Sequence, residues 1–177
     1  MRIIAGKYKR TPLLTLEGES TRPTRDRVKE ALFSSIDAEG EKFLDLFAGS
    51  GSIGLEALSR EASDVVFNDS NPEAVKIISA NLLKVKEKRR VFDYGYDLCI
   101  KKLKGETFDY IYLDPPYAFK DHERLLGMLK ENGLVRKGSV VIAEVRKDTD
   151  LPEEVSSFTL FKEKRYGITK LYYYRYE

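Results

Sequence analysis

The 177-residue sequence is poor in residues that many catalytic and metal sites require. It has one cysteine, Cys99, one histidine, His122, and no tryptophan. A single cysteine excludes an internal disulfide and a cysteine metal cluster. A single histidine makes a zinc site or a Ser-His-Asp triad of the usual plan unexpected, so we predict no bound metal. We expect Cys99 to be structural and His122 to be exposed.

Long apolar runs, internal repeats and linkers are also lacking. No stretch approaches the roughly 20 apolar residues of a membrane span, and the N-terminus has no signal-peptide core. These absences predict a cytoplasmic protein without a membrane partner. The composition, 42% hydrophobic and 34% charged, is that of an ordinary globular protein. We divide the chain into a small basic β extension over residues 1–20 and one main domain over residues 21–177.

The net charge is only +2, but basic residues are concentrated in three segments of the chain. These segments are residues 1–10, 84–90 and 162–175. Such clusters suit a phosphate backbone, although on charge alone a solvated face fits equally well. The candidate phosphate contacts in the first segment are Arg2, Lys7, Lys9 and Arg10.

From residue 42 onward, strand-like and helix-like segments alternate. Several strand candidates are nearly all apolar, as in a parallel sheet with helices on both faces. The predicted strands span 42–48, 64–69, 90–95, 109–114, 139–146, 157–165 and 168–176. Helices are predicted at 52–60, 72–86, 97–103 and 119–132, after a first helix that Thr24 caps and that ends near Ile36.

The last two strand candidates are separated only by Tyr166 and Gly167. This connection is too short for a crossover helix, so the two strands must form an antiparallel hairpin. The sequence therefore predicts a Rossmann-like α/β fold. Its seven-stranded, mostly parallel sheet ends in a C-terminal antiparallel hairpin, which is the layout of class I methyltransferases.

A glycine-rich turn, DLFAGSGSIG from Asp45 to Gly54, follows the first parallel strand. Glycines there let the backbone approach a ligand, and the next helix offers free N–H groups. Asp69 ends the second strand, 20 residues after Gly49, where a carboxylate can bind ribose hydroxyls. The pattern indicates a nucleoside cofactor at the switch point of the sheet. Asp97 follows the third strand and suits an adenine amino group or a helix cap.

The glycine spacing alone leaves the identity of the cofactor open. Gly49, Gly51 and Gly54 match the dinucleotide fingerprint, so an NAD-dependent oxidoreductase is an alternative. Asp45 favours a methyltransferase, because a carboxylate suits the cationic amino-acid part of S-adenosylmethionine better than a pyrophosphate. Glycines that serve only tight packing are a third interpretation.

Asp114-Pro115-Pro116-Tyr117 ends the fourth predicted strand. Two prolines cannot continue a strand ladder, so the backbone leaves the sheet extended and the Asp114 carboxylate and Pro115 carbonyl become two fixed acceptors. The exocyclic amine of a nucleic-acid base is a poor nucleophile, because its lone pair is delocalised into the ring. Two acceptors on its hydrogens can aim that lone pair at a sulfonium methyl while Tyr117 stacks on the base. The tetrapeptide predicts methyl transfer to a flipped or unpaired base; a simple loop breaker is the alternative.

Together with these motifs, the chain resembles the RsmD-like family of bacterial 16S rRNA guanine-N2 methyltransferases. The resemblance covers nearly the whole chain. It rests on MRIIAG (1–6), RPTRDRVKEALF (22–33), DLFAGSGSIGLEALSR (45–60), Asn81-Leu82, LDPPY (113–117) and Tyr166-Gly167. The RPT-x-DRV-x-EALF stretch is the most specific of these markers.

The resemblance implies a role for each motif residue. S-adenosylmethionine would be the cofactor, with Asp69 on its ribose and Asp97 on its adenine; its methionine part would meet Asp45, Gly49 and Gly51. Ser50 and Asp114 would also contact the cofactor. Asp114, Pro115 and Tyr117 would hold the guanine. Arg22 and Arg25 join the candidate RNA contacts, although Arg25 stands where the family has a small polar residue. The implied substrate is 16S rRNA within a partly assembled small ribosomal subunit, bound by a monomer.

Two alternatives stay open at this point. An adenine-N6 methyltransferase acting on DNA or RNA fits the same tetrapeptide, because both target amines need the same two acceptors. A non-catalytic RNA-binding ribosome assembly factor with the same fold is an alternative of another class. The lack of a separate recognition domain favours RNA over DNA, and the intact glycine turn and tetrapeptide favour an enzyme.

Overall fold

The computed structural model describes residues 1–18 and 23–177, with side chains from residue 25 onward in the second range. Within these ranges the helices are α1 (Pro23–Ser35), α2 (Ser52–Ser59), α3 (Pro72–Lys84), α4 (Tyr96–Lys102) and α5 (His122–Glu131). The strands are β1 (Lys42–Asp45), β2 (Asp64–Asn68), β3 (Val91–Phe92), β4 (Tyr110–Leu113), β5 (Val140–Arg146), β6 (Glu154–Val155), β7 (Phe158–Tyr166) and β8 (Thr169–Tyr176).

All of these strands form one sheet, in the order β3-β2-β1-β4-β5-β8-β7-β6. The five strands from β3 to β5 pair in parallel, whereas β8 is antiparallel to both β5 and β7. From β1, the chain adds β2 and then β3 on one side. It then crosses back and adds the remaining strands on the other side of β1, beginning with β4. This arrangement confirms the Rossmann-like fold and the C-terminal hairpin predicted from the sequence.

The sheet has eight strands rather than the predicted seven. The additional strand, β6, has two residues and pairs with the start of β7. Ser156 and Ser157 connect them with φ angles of 48° and 69°, as a tight hairpin turn requires. This hairpin could not be predicted from the sequence, because two residues are too few to show strand alternation and Ser-Ser lacks the usual Asn or Gly turn signal.

The described part of the N-terminal segment, residues 1–18, contains an antiparallel bridge between Arg2 and Pro12. The segment is held to the main domain by Glu56 of α2, which accepts hydrogen bonds from the backbone N–H groups of Ile4 (2.9 Å) and Ala5 (3.1 Å). Ile3 is fully buried in the core. The segment therefore packs onto the face of the domain that α2 covers.

The start of α1 also differs from the prediction. The helix begins at Pro23, so Thr24, the predicted N-cap, lies in its first turn. Proline suits that first position because it lacks the N–H that would have no helical partner there. The start of α3 follows the same rule and agrees with the prediction: Pro72 opens the helix, and the Asn71 side chain accepts a hydrogen bond from the N–H of Glu73.

Two apolar clusters cover the two faces of the sheet, because neighbouring residues of a strand point to opposite sides. Phe43 belongs to the cluster that includes residues of α1, α2 and α3, and Leu44 to the cluster that includes α4 and α5. The tyrosine run of β8 is divided in the same way: Tyr173 faces the first cluster, and Tyr172 and Tyr174 face the second. All three rings are buried.

Cys99 is structural, as expected from the sequence. The residue is fully buried in the cluster beneath α4. Burial raises the pKa of its thiol to about 12, and a thiolate is the reactive form of cysteine. Cys99 therefore takes no part in nucleophilic chemistry at neutral pH.

Substitution of Gly54 by alanine tests the contact between α2 and β2. A Cβ at Gly54 would lie 2.3 Å from Cε1 of Phe67, a buried ring on β2. We expect Gly54→Ala to lower the free energy of unfolding by about 1–3 kcal/mol, as overpacking of a core does. Urea denaturation measures this change.

Gly127→Ala in α5 is the matched control. Its Cβ would meet only the Ser156 hydroxyl, at 3.3 Å, and alanine is favoured over glycine in a helix by about 0.5–1 kcal/mol. This variant should be as stable as the parent protein or more stable. Equal stability of the two variants would contradict the proposed contact.

Candidate active site

The main cavity lies at the carboxyl edge of the parallel strands. The ends of β1, β2, β4 and β5 all contribute to its wall, as does the turn before β8, and its volume is about 730 Å³. This size is typical of sites for small organic ligands. A smaller cavity of about 60 Å³ adjoins it beneath the glycine turn. The residues common to both cavities are Arg25, Phe47, Gly49, Asp114 and Glu144.

The glycine turn brings backbone and carboxylate together at the end of β1. Gly49 and Gly51 have φ angles of 58° and 82°, a conformation that side chains with a Cβ rarely adopt. Asp45 is buried, and its Oδ2 accepts a hydrogen bond from the N–H of Gly54 at 3.0 Å. Asp45, Gly49 and Ser50 line the smaller cavity. The structure therefore brings these predicted cofactor residues together around one turn.

Asp69 follows β2 and lies beside the glycine turn. Its Oδ2 accepts from the N–H of Gly49 at 2.8 Å, and its Oδ1 accepts from the N–H of Asn71 at 2.9 Å. An ionised carboxylate has about four acceptor positions, so both oxygens keep capacity for a diol. Asp69 thus fixes the turn and offers acceptors to the main cavity, which it lines.

Asp97 is placed differently from the other predicted cofactor residues. It is exposed in the first turn of α4, and its Oδ1 accepts from the N–H of Leu98 at 2.9 Å. The residues of this region that line the main cavity are Tyr94, Gly95 and Tyr96. The structure does not bring Asp97 to the cavity wall.

The Asp114-Pro115-Pro116-Tyr117 segment leaves β4 along the cavity, and all four residues line it. Tyr117 is 73% exposed, so its ring is open to a stacking partner. The guanidinium of Arg146, from the end of β5, lies 4.9 Å from the centre of that ring. This cation–π contact holds Tyr117 at the cavity mouth.

Arg25, predicted from the sequence as an RNA contact, lines both cavities and is half-buried between two carboxylates. Its Nη2 lies 3.2 Å from Oδ2 of Asp114, and its Nη1 lies 2.9 Å from each carboxylate oxygen of Glu144. Although burial acts to lower the pKa of Arg25, the two carboxylates raise it above its ordinary value. The guanidinium is therefore a permanent positive charge between two acids.

Asp114 experiences opposing influences from its neighbours. Burial and the adjacent carboxylate of Glu144 raise the pKa of Asp114, and the guanidinium of Arg25 acts to lower it; the net direction is upward. The same two carboxylates, together with burial, raise the pKa of the Tyr112 hydroxyl on β4. The pKa of Asp114 therefore depends on the charges of Glu144 and Arg25 as well as on burial.

Glu144 was missed by sequence reasoning. It is 6% exposed on β5, in the apolar stretch SVVIAEVR. An acid in the middle of an otherwise apolar strand is the signal that could have identified it, because a buried charge needs a partner. The partner, Arg25, is 119 residues away in the chain and could not be inferred from spacing.

An aromatic wall that sequence reasoning also missed closes one side of the cavity. Phe47, Tyr96 and Phe119 contact one another with ring centres 5.3–5.9 Å apart. His122 stands edge-on to Phe119 at 5.0 Å. The expectation that His122 is exposed is wrong: it is 6% exposed, because α5 turns it inward against this wall. Burial lowers the pKa of the His122 imidazole.

The predicted RNA contacts of the N-terminal segment, Arg2, Lys7, Lys9 and Arg10, are all exposed. Lys7 also pairs with Glu61 (3.6 Å) and Glu87 (3.8 Å). The same segment borders the site, since Met1 lines the smaller cavity and Leu16 and Gly18 line the main one. Arg22 lies outside the described residues.

Within the described residues, no group of three or more His, Cys, Asp or Glu side chains is placed to hold a metal ion. In the same part of the chain, no helix is both long and apolar enough to cross a membrane.

Comparison with known proteins places the chain among methyltransferases. The family model described as "Conserved hypothetical protein 95" matches residues 1–175. The chain is 36% identical over 183 residues to Ribosomal RNA small subunit methyltransferase D of Haemophilus influenzae, covering 99% of this chain and 93% of that protein. It is 29% identical over 172 residues to the protein of the same name from Escherichia coli, covering 94% and 85%. A solved structure named "Putative methyltransferase yhhF from Escherichia coli" has a TM-score of 0.89 at 26% identity and covers 100% of this chain and 98% of that chain.

The single histidine makes the burial of α5 directly measurable. Because burial disfavours the imidazolium, we expect the NMR titration midpoint of the His122 ring protons to fall below the ordinary value of about 6.5. The unfolded chain then binds this proton before the folded chain does. The contribution of His122 to stability is present above pH of about 6.5 and is lost as the pH falls below it.

Denaturation of the parent protein and of His122→Gln at a series of pH values isolates this contribution. The difference between the two curves should vary only below a pH of about 6.5. A midpoint at or above the ordinary value would show that the imidazole is accessible to water.

Proposed function

The chain belongs to the RsmD family of methyltransferases, whose model is described as Conserved hypothetical protein 95, and we propose that it transfers the methyl group of S-adenosylmethionine to the exocyclic N2 of a guanine in 16S rRNA. One observation of the structure carries the proposal. The glycine turn after β1 and the Asp114-Pro115 acceptors after β4 border the same cavity.

Strand pairing explains why these two groups meet. β1 and β4 are hydrogen-bonded parallel neighbours, with Asp45 opposite Tyr112 in the register. Asp114 lies two residues beyond Tyr112, so both strand ends open onto the same edge of the sheet. A cofactor held by the turn after β1 and a base held by the segment after β4 would therefore lie side by side.

The residues present fit S-adenosylmethionine. The turn supplies backbone close to the ligand, Asp69 supplies acceptors for a ribose diol, and the main cavity has the volume of a nucleoside site. The aromatic wall of Phe47, Tyr96 and Phe119 suits an apolar ring system. When bound, the cofactor supplies an electrophilic methyl group on a sulfonium centre. A contact between Asp97 and the adenine, predicted from the sequence, would require Asp97 to turn inward from its exposed position.

The chain's own residues hold and orient the amine. The Asp114 carboxylate and the carbonyl of Pro115 each accept a hydrogen bond from the amine. These two hydrogen bonds orient the amine so that the nitrogen lone pair faces the methyl group. Tyr117, fixed by Arg146, stacks on the base and sets its plane. Such positioning contributes several kcal/mol to catalysis, and the acceptors stabilise positive charge as it develops on nitrogen.

The relatives named as small-subunit rRNA methyltransferases support RNA as the substrate. The exposed basic residues of the N-terminal segment beside the cavity suit its phosphates. A guanine amine is the target that the resemblance of the sequence implies. A partly assembled small subunit as the substrate, a monomeric enzyme and a cytoplasmic location belong to the same proposal.

Mapping of the transferred methyl group tests the proposal. The protein is incubated with labelled S-adenosylmethionine and with undermethylated small-subunit particles, naked 16S rRNA or DNA, and the modified nucleoside is identified by mass spectrometry. We expect N2-methylguanosine in the particles. N6-methyladenine would favour the adenine alternative, and cofactor binding without transfer to any of the three would contradict the proposed function. Absence of cofactor binding would favour the non-catalytic assembly factor.

Asp114→Ala should separate catalysis from cofactor binding. Loss of one positioned acceptor is expected to lower kcat by about 10²–10³-fold, while calorimetry shows S-adenosylmethionine binding within a few-fold of the parent protein. Asp37→Ala, which removes an exposed carboxylate before β1, is the matched control and should leave both unchanged. Turnover of Asp114→Ala at the parental rate would remove the proposed role of this carboxylate.

Asp69→Ala should weaken cofactor binding and leave the rate at saturating cofactor largely intact. It removes the proposed ribose acceptors and the two hydrogen bonds that fix Gly49 and Asn71. We expect the dissociation constant for S-adenosylmethionine to rise by at least about tenfold, which corresponds to about 1.4 kcal/mol. Saturating cofactor should restore most of the rate. An unchanged dissociation constant would exclude Asp69 from the cofactor site.

A further inference from the structure

Arg25 brings the half-buried Asp114 and the buried Glu144 into one unit at the centre of the site. Its guanidinium contacts Oδ2 of Asp114 at 3.2 Å and both oxygens of Glu144 at 2.9 Å. The three residues come from three elements, since Arg25 belongs to α1, Asp114 follows β4 and Glu144 belongs to β5. The side chain of Glu144 is 5% exposed, whereas those of Arg25 and Asp114 are 30% and 31% exposed toward the cavity.

The charges of this cluster leave capacity for one proton. Two carboxylates and one guanidinium carry a net charge of −1, which a single proton neutralises. Among the described residues, Tyr112 on β4, Asp45 at the end of β1 and Lys29 on α1 line the smaller cavity with Asp114. The titratable and charged groups that line the main cavity with it are Asp69, Tyr94, Tyr96, Tyr117, His122 and Arg146. The Nζ of Lys29 lies 3.6 Å from Oε1 of Glu56 and donates a hydrogen bond to the hydroxyl of Ser52 at 3.0 Å.

We propose that Asp114 and Glu144, bridged by Arg25, act as one proton-accepting unit that receives the proton released by the substrate amine when its nitrogen gains the methyl group. This inference rests on the proposed function. The nitrogen lone pair forms the new N–C bond, and the S–C bond breaks with its electron pair left on sulfur. The N–H electron pair returns to nitrogen as the proton passes to Oδ1 of Asp114.

The two partners of Asp114 have opposite effects within this unit. Glu144 makes the Asp114 carboxylate a better proton acceptor, because a second negative charge nearby favours proton uptake. Arg25 keeps that carboxylate ionised before transfer, when it must accept a hydrogen bond from the amine; a protonated carboxyl would have lost that oxygen as an acceptor. Asp114 is the catalytic residue, and Glu144 and Arg25 are positioning residues that act through it.

The pH dependence of single-turnover methyl transfer to undermethylated small-subunit particles tests the unit. The rate should fall at low pH as Asp114 becomes protonated. In Arg25→Gln the acid limb should move to higher pH by about 1–3 units, the effect of removing a close opposite charge from a carboxylate. In Glu144→Gln it should move to lower pH, because a like charge is removed. Arg25→Lys, which keeps the charge, should return the limb toward the parental position.

Arg136→Gln is the matched control for these variants. Arg136 pairs with Asp109 at the opposite end of β4, with the same Arg–Asp chemistry but outside the cavity. Its acid limb should coincide with that of the parent protein. If Arg25→Gln and Glu144→Gln lower the rate equally at every pH without moving the limb, the two residues are structural and the proposal is overturned.

Denaturation at pH 5 and pH 8 examines the unit independently of methyl transfer. Arg25→Gln leaves Asp114 and Glu144 without their cation. Because burial and Glu144 raise the pKa of Asp114, this variant should be destabilised more at pH 8 than at pH 5. The double variant Arg25→Gln, Glu144→Gln should show a smaller pH dependence, because Asp114 then has no neighbouring carboxylate. A destabilisation that is the same at both pH values overturns the unit. If the variants show the expected stability pattern but the parent protein transfers no methyl group, the proposed function is refuted instead.

Discussion

Parallel pairing of β1 with both β2 and β4 is the constraint on which the rest of this structure depends. Because the three strands run in the same direction, the chain leaves the sheet at one edge three times in succession. The glycine turn, Asp69 and Asp114 are placed at those exits. Helices on both faces bury the apolar strands, so the edge is where polar side chains and free backbone groups remain available to a ligand.

Two clusters of ion pairs near the cavities have different consequences. Lys29, Glu56 and Arg60 fix the N-terminal segment to α2, and Glu56 is fully buried with hydrogen bonds to two backbone N–H groups. Arg25, Asp114 and Glu144 instead face the cavities. Breaking a buried pair costs far more than an exposed one because the remaining charge has no partner. The first cluster has its partners inside the protein, whereas the second retains acceptor capacity toward a ligand.

α1 links these two clusters, because it carries both Arg25 and Lys29. Its sequence lies within the RPT-x-DRV-x-EALF stretch, which is the most specific marker of the family. The structure gives part of this stretch a physical role. Arg25 reaches the carboxylates of Asp114 and Glu144, and Lys29 reaches the helix that follows the glycine turn. Val28 and Leu32 anchor α1 in the core. The N-terminal extension and the cavity therefore depend on the same helix.

The sequence by itself determined the alternation of strands and helices, the parallel sheet with its final hairpin, the glycine turn and the Asp114 tetrapeptide. Each of these is a local pattern: an apolar run, a two-residue connection, or residues adjacent in the chain. Only the tertiary structure decided that Arg25 lies between Asp114 and Glu144, that His122 faces inward, that Asp97 lies away from the cavity, and that Ser156-Ser157 turns an eighth strand. The ion pairs of Arg25 join residues 89 and 119 positions apart, and which face of a helix is buried depends on the surface it packs against. Such relations arise only after the chain has folded, because they follow from pairing in space and not from spacing along the sequence.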